Sequence, residues 1–390
     1  MPDNAPVTPH NTTPLAILTW NLNRDREALG ALAARLLEPT CPWGAVLVQE
    51  WPEPKVVQPV DAAPAAEVAD AEPEPAANQE GAPAGPTRDA EQGRESFRTT
   101  VEADLKSITK VAGALEARGW ELGAATDGPG ANGRRSVILA RTRKPGDASW
   151  PISLRRSAEP PEKLDRRPKI SEICWVTLEI TDPDIGSTTL VLVVNVHATS
   201  QLTAAEGLDR LTRALVTSAA IKDLIQREQG VSLVIAGGDW NAEPWSDELS
   251  GVAFLGAARS AGELNRGYRS RIPASFYNPS WSLCQSAVGA HPAGTYFYWG
   301  EATRADRWKL YDQFVLNADA ANRFLEGGKL RLVPDLSRHI SFSGDGAPRA
   351  RPSAKKRAKL GGSLAAEVPY SDHLPVELVI PLVHRFTETT

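Results

Sequence analysis

Helical and strand-like patterns alternate along this chain of 390 residues, which predicts an α/β fold. Three observations carry that expectation. Residues 24–38, RDREALGALAARLLE, place Leu29, Leu32, Leu36 and Leu37 on one helical face. The same spacing recurs over 101–118 (Leu105, Ile108, Val111, Leu115) and over 204–228 (Leu208, Leu211, Leu215, Ala219, Leu224). Between these lie short apolar runs of strand length, each with polar groups at one end.

The direction of those runs is informative. AILTWN ends at Asn21, AVLVQE at Glu50, LVVNVH at His197, and LVIAGGDWN at Asp239 and Asn241. Two others begin with polar residues: Asp312 opens DQFVLN, and Asp372 and His373 precede LPVELVI. If the second group runs antiparallel to the first, in the same sheet or a facing one, all of these side chains meet along one edge of the strands.

Glu50, Asp239, Asp312 and Asp372 with Asn21 and Asn241 form an oxygen-rich set, suited to a hard cation such as Mg²⁺ and poorly suited to zinc. Packing several carboxylates together without a cation is costly, because like charges repel and a desolvated carboxylate resists ionisation. Each residue alone has a plainer reading: a turn or cap for Asn21 and Glu50, a satisfied strand-end histidine for His197, a common tripeptide for Ser371-Asp372-His373. The case rests on the joint pattern. In GGDWNAEP, Gly237 and Gly238 permit a tight backbone path where the polar side chains leave a buried strand.

Taken in order, TWNLN, VQE, GDWNAEP and SDHLPV resemble the motifs of the endonuclease/exonuclease/phosphatase superfamily, over about 15–51, 97–317 and 369–382. The resemblance implies two packed, mostly antiparallel β-sheets flanked by helices, a four-layer deoxyribonuclease I-like sandwich. It implies a Mg²⁺- or Mn²⁺-dependent phosphodiester hydrolase, with a nuclease acting on DNA or RNA as the leading reading. By its motif positions Glu50 resembles the main metal ligand, with Asn21 and Asp372 assisting. Asp239 and Asn241 position the nucleophile and phosphate, and Asp312 orients His373. His197, in NVHATS, resembles the histidine of members similar to deoxyribonuclease I, binding the phosphate or protonating the leaving group.

Departures from subgroups are also visible. Trp51 and Pro52 follow Glu50 where apurinic endonucleases carry a lysine-containing continuation. Tyr311 and Gln313 flank Asp312 unusually. The inositol polyphosphate phosphatase segment is not evident. A phosphatase or phosphodiesterase on a small ester or lipid headgroup therefore stays open as the alternative. A non-catalytic binding module is disfavoured, because no site residue is lost.

Composition sets the remaining expectations. Residues 52–92 carry nine acidic and two basic residues, so the rest of the chain carries +2 of the formal net charge of −5. This acidic Pro/Ala-rich stretch, 52–95 at its widest, is expected to be a disordered insertion. A second irregular stretch, 341–368, holds Arg349, Arg351, Lys355, Lys356, Arg357 and Lys359 and reads as a flexible basic loop. With tails at 1–14 and 385–390, a single domain spans 15–384.

Further basic clusters at Arg134 and Arg135, at Arg166, Arg167 and Lys169, and at Arg266, Arg269 and Arg271 point to nucleic-acid phosphates as a partner. Trp281, Tyr296, Tyr298 and Trp299 are either core packing or base-stacking groups. Cys41, Cys174 and Cys284 show no CxxC spacing, which argues against a disulfide framework or a thiolate zinc site. No run approaches the roughly 20 apolar residues of a membrane helix, and the N-terminus lacks signal-peptide character. A cytoplasmic protein without membrane insertion is expected.

Overall fold

The computed structural model describes residues 14–22, 26–51, 113–125, 136–144, 150–155, 171–182, 186–198, 207–228, 230–265, 275–285, 294–297, 308–333, 336 and 373–382. The chain divides into a main unit, residues 1–52 with 115–390, and a second unit, 53–114. Of the second unit only 113 and 114 are described, so the acidic stretch and residues 101–112 of the expected 101–118 helix lie outside the described residues, while 113–117 are helical and Leu115 is buried. The basic 341–368 loop does too.

The first part of the main unit holds β1 (Leu15–Asn21), α1 (Arg26–Leu37), β2 (Ala45–Gln49), β3 (Trp120–Ala125), β4 (Val137–Arg141), β5 (Ile152–Arg155), β6 (Ser171–Thr181) and β7 (Thr188–Ala198). Helix α2 (Gly207–Arg227) follows, then β8 (Leu233–Asp239), α3 (Asp247–Ser250), β9 (Ala257–Ala258), α4 (Ala261–Asn265), β10 (Phe276–Tyr277) and α5 (Trp281–Gln285). The last elements are β11 (Tyr296–Phe297), β12 (Trp308–Lys309), β13 (Asp312–Leu316), α6 (Ala318–Leu325), β14 (Lys329–Leu332) and β15 (Val376–Ile380).

Two sheets form from these strands: β14-β15-β1-β2-β4-β3 and β5-β6-β7-β8-β13-β10-β9, with β11-β12 as a separate ribbon. The pairs β1/β2, β7/β8 and β9/β10 are parallel and the others antiparallel. Strand direction follows the sequence expectation: β15 runs against β1, and β13 against β8. No described helix is long and apolar enough to cross a membrane.

Period-two alternation explains how the sheets pack. Leu15 and Ile17 of β1, Ala45 and Leu47 of β2, Val376, Leu378 and Ile380 of β15, Val191 and Val193 of β7, Leu233 and Ile235 of β8, and Phe314 and Leu316 of β13 share one buried cluster drawn from both sheets. The opposite faces of β7, β8 and β13 supply Leu192, Val194, Val196, Val234, Ala236 and Val315 to a second cluster with Ile221 and Leu224 of α2. Helix α2 thus covers the outer face of the second sheet.

Its inward face differs from the sequence expectation, since Leu215 is 47% exposed and Ala219 is exposed, while Thr217, Ser218, Ala220, Ile221 and Leu224 are buried. Leu29, Leu32 and Leu36 of α1 are buried as expected, with Leu37 half-buried. Buried tryptophans keep their polar atom satisfied: the indole N–H groups of Trp20, Trp43, Trp120 and Trp240 donate to His373 O, Glu377 Oε2, Leu36 O and Gln313 O at 2.7–3.2 Å.

Candidate active site

The candidate site is the polar end of the inter-sheet core. Following the inward-facing rows of each strand toward one rim, apolar side chains give way to polar ones: Ile17 to Thr19 and Asn21, Leu47 to Gln49, Val193 to Asn195 and His197, Ile235 to Gly237 and Asp239, Leu316 and Phe314 to Asp312. Strand register aligns the ends. His197 pairs with Asp239 across the parallel β7/β8 ladder, Asp239 with Asp312 across β8/β13, and Asn21 with Gln49 in the other sheet.

Hydrogen bonds then join the two sheets. Asn21 Nδ2 donates to Asp239 Oδ2 at 2.9 Å, and the Asn241 backbone N–H donates to Asp239 Oδ1 at 2.9 Å. Asn241 Nδ2 in turn donates to Ala198 O at 2.8 Å, tying the exits of β7 and β8 together. His373 Nδ1 lies 2.9 Å from Asp312 Oδ2, and its Nε2 lies 3.9 Å from Asp239 Oδ2. His197 Nε2 is 3.6 Å from Glu50 Oε1, which brings a first-sheet carboxylate against a second-sheet imidazole.

Backbone conformation marks the same place. Among the described residues only Glu50 (φ 50) and Asn241 (φ 48) take left-handed backbone without being glycine. Such residues cost about 1–3 kcal/mol and persist where the surroundings over-determine them. Gly238 (φ 144) has a separate reason: a Cβ there would sit 1.9 Å from Val196 O, and one at Gly237 would meet the Phe314 ring at 2.5 Å. Both glycines of GGDWN are therefore demanded by close approach of β7 and of the inter-sheet core.

Below the rim lies a polar network that the sequence reading missed. Asn195 is wholly buried, and its Nδ2 donates to Val48 O (3.0 Å) and Val137 O (2.9 Å) in the facing sheet. Gln49 Nε2 donates to Asn195 Oδ1 and to Thr19 Oγ1. Two amides thereby pin the two sheets together, Asn195 two residues from His197 and Gln49 one from Glu50. The available signal was an amide inside an apolar run, since a buried amide must find partners.

Thr295 carried no sequence signal, and Tyr296 was open between core packing and base stacking; both lie beside the Asp312–His373 pair. The Thr295 hydroxyl accepts from the backbone N–H groups of Tyr311 and Asp312, and Leu374 N–H donates to Thr295 O. The half-buried Tyr296 ring lies 4.6 Å from the His373 imidazole and stacks at 5.4 Å on Tyr311. Complete burial pushes the Asp312 carboxyl above its ordinary range; the His373 imidazole pulls it back, Asp239 nearby adds to the rise, and the Thr295 hydroxyl lowers it again.

The structure thus brings together Asn21, Glu50, His197, Asp239, Asn241, Asp312 and His373. Asp372, Arg134, Arg135, Arg166, Arg167 and Lys169 lie outside the described residues, as do Tyr298 and Trp299. Among the described residues no three His, Cys, Asp or Glu side chains form a preformed metal cage. Cys41 and Cys174 are buried and Cys284 half-buried, all free.

Fold and site together define a two-sheet α/β sandwich with a carboxylate, amide and imidazole cluster at one rim. No family model matches the chain, and no curated protein matches it. Solved structures similar to it include a humanized D. rerio TDP2 (12% identity, 95% of this chain and 100% of that one, TM-score 0.44). Two others are an endonuclease/exonuclease/phosphatase family protein from Bacteroides thetaiotaomicron (12%, 96% and 100%, TM-score 0.43) and the 3' phosphatase NExo from Neisseria (14%, 94% and 100%, TM-score 0.44).

Proposed function

We propose that this protein hydrolyses phosphate esters with a divalent cation, Mg²⁺ or Mn²⁺, and that its substrate is a nucleic-acid phosphodiester. One observation carries the reading: Glu50 and Asn21 from one sheet meet His197 and Asp239 from the other, with the Asp312–His373 pair beside them. A purely structural rim has no need to gather three buried carboxylates and two imidazoles.

The donor set fits a hard cation. Glu50 offers a carboxylate at a strained strand exit. Asn21, whose amide nitrogen is bonded to Asp239, adds an amide oxygen to the set. These two, with Asp372 by its sequence position, would hold the ion, which when bound stabilises negative charge on the phosphate and leaving oxygen.

The chain's own residues supply the proton work. With Asp312 accepting from His373 Nδ1–H, the Nε2 atom is left as the acceptor, facing Asp239 across 3.9 Å. In this reading a water placed between His373 Nε2 and Asp239 gives its proton to Nε2 as its oxygen bonds to phosphorus in line. The ester oxygen opposite leaves and takes a proton from His197 or from solvent. In the same reading Asn241, fixed by its backbone bond to Asp239 and its amide bond to Ala198 O, holds a non-bridging oxygen.

The test is to incubate the full chain with Mg²⁺ or Mn²⁺ and plasmid, single-stranded DNA, RNA and a panel of small phosphate esters. Metal-dependent cleavage of a nucleic acid that stops on chelation supports the reading. Hydrolysis of small esters alone moves the substrate to the phosphatase class, and no hydrolysis of any substrate overturns it.

A further inference from the structure

The loop leaving the site carries an aromatic group that the core does not use. Trp245 is 55% exposed, whereas every other described tryptophan is buried or half-buried. It stands six residues after Asp239, hence within about 20 Å of it by chain length alone.

The segment between them is anchored at each step. Ala242 O accepts from Gln313 Nε2 at 2.5 Å, the Glu243 carboxylate accepts from Leu310 N–H at 3.0 Å, and Glu243 N–H donates to Ser246 Oγ at 3.1 Å. Leu310 lies two residues before Asp312, so the same contacts that fix the loop tie it to the strand bearing a site carboxylate. Trp245 is thus presented at a set offset from the rim.

Behind Trp245 the surface is built to support a ring. Trp281 packs against it with centroids 5.7 Å apart, and the Arg259 guanidinium lies 5.1 Å over the Trp281 ring. Beside them is a pocket of about 280 Å³ lined in part by Ser250, Val252, Arg259, Glu263 and Trp281. The Trp281 indole nitrogen is buried without a hydrogen-bond partner among the described residues. Besides Arg259, two carboxylates belong to this surface: Glu263 in the pocket lining, and exposed Asp247 two residues after Trp245. Against that local charge a phosphate gains little, while a flat, uncharged π-face meets an exposed indole with no electrostatic penalty.

We propose that Trp245, backed by Trp281 and Arg259, is a stacking platform for one unpaired nucleobase of a strand whose phosphate sits at the Asp239–His373 rim. It rests on the hydrolase reading for its strand and adds the specificity for base-bearing single strands over compact phosphate esters. An indole held in place before binding loses little rotamer freedom on stacking, which is what makes it effective.

The experiment measures affinity by fluorescence anisotropy of a dye-labelled single-stranded oligonucleotide on the full chain, with divalent cations chelated so that nothing is cleaved. Trp245→Ala is expected to weaken binding by roughly 5- to 150-fold, the range for loss of one base–aromatic stack. The slope of log affinity against log salt is expected to stay the same, because no phosphate contact is lost. Trp245→Tyr is expected to recover most of the affinity, and an oligonucleotide of abasic sites to bind wild type and Trp245→Ala alike. Circular dichroism melting checks that both variants are folded.

Equal affinity of wild type and Trp245→Ala for the base-bearing strand overturns the platform. So does an equal loss on the abasic strand, a changed salt slope, or no oligonucleotide binding by wild type. Cleavage of a base-free chromogenic phosphodiester by wild type is scored separately, so failure of the hydrolase reading is distinguishable from failure of the platform.

Discussion

Asp239→Asn removes one charge and turns one acceptor into a donor at the most connected point of the rim. Asp239 is 2% exposed, and both of its oxygens are in use: Oδ1 accepts from Asn241 N–H and Oδ2 from Asn21 Nδ2. An asparagine amide keeps only one acceptor, so whichever way it turns, its NH₂ faces one of those donors. A buried polar group left without a partner costs about 1–3 kcal/mol, which denaturant unfolding of the metal-free variant is expected to show. The chemical loss is separate. A residue that positions or deprotonates a nucleophile contributes on the order of 10² or more in rate, which corresponds to about 2.7 kcal/mol of barrier. Steady-state and single-turnover hydrolysis of a chromogenic phosphodiester, at saturating Mn²⁺, reads that directly. The expected pattern is a kcat lowered by about 10² or more with KM changed little. Full turnover in Asp239→Asn, or a loss confined to KM, refutes the assignment of this rim as the reaction centre.

Other outcomes follow from the same geometry. Gly238→Ala places a Cβ 1.9 Å from Val196 O at φ 144, so the variant is expected to lose more than the about 1–3 kcal/mol typical of overpacking, or to be insoluble; a wild-type melting temperature refutes the close approach of β7 and β8. Burial raises the Glu243 carboxyl above the ordinary glutamate range, with the Leu310 N–H and Lys309 pulling it back. Its favourable contribution is therefore complete below the ordinary range and declines as pH rises through the raised value. Glu243→Gln lacks that slope and still accepts from Leu310 N–H, so its melting temperature relative to wild type is expected to climb as pH rises from the ordinary glutamate range through the raised value; a constant or shrinking difference refutes the cause. Neutralising Arg349, Arg351, Lys355, Lys356, Arg357 and Lys359 is expected to weaken nucleic-acid binding and flatten its salt dependence, with small-diester turnover kept; equal loss on both substrates refutes a binding role.

What could be read from the chain, and what could not, divides along physical lines. The strand runs and their polar ends were legible because alternation and turn residues are local, and their order already placed Asn21, Glu50, His197, Asp239, Asn241, Asp312 and His373 in one argument. Helix α2 was legible as a helix, but not the face it buries. With apolar residues spread around a helix of 21 residues, several stripes satisfy the periodicity, and contact with Leu192, Val194 and Val196 of β7 selects Ile221 and Leu224 over Leu215. Gln49, Asn195 and Thr295 escaped notice because a polar residue inside an apolar run reveals its partner only when the facing sheet or the neighbouring hairpin is in place.

By itself the sequence determined the α/β class and the polar strand ends, with two glycines that permit a tight path before Asp239. Only the tertiary structure decided which oxygen each donor reaches, that Glu50 and Asn241 are held in left-handed backbone, and that Trp245 stays outside the core. Those outcomes depend on contacts between segments far apart in the chain, from Asn241 with Ala198 (|i−j| = 43) to Asn21 with Asp239 (|i−j| = 218), and on steric and desolvation terms that no local pattern encodes.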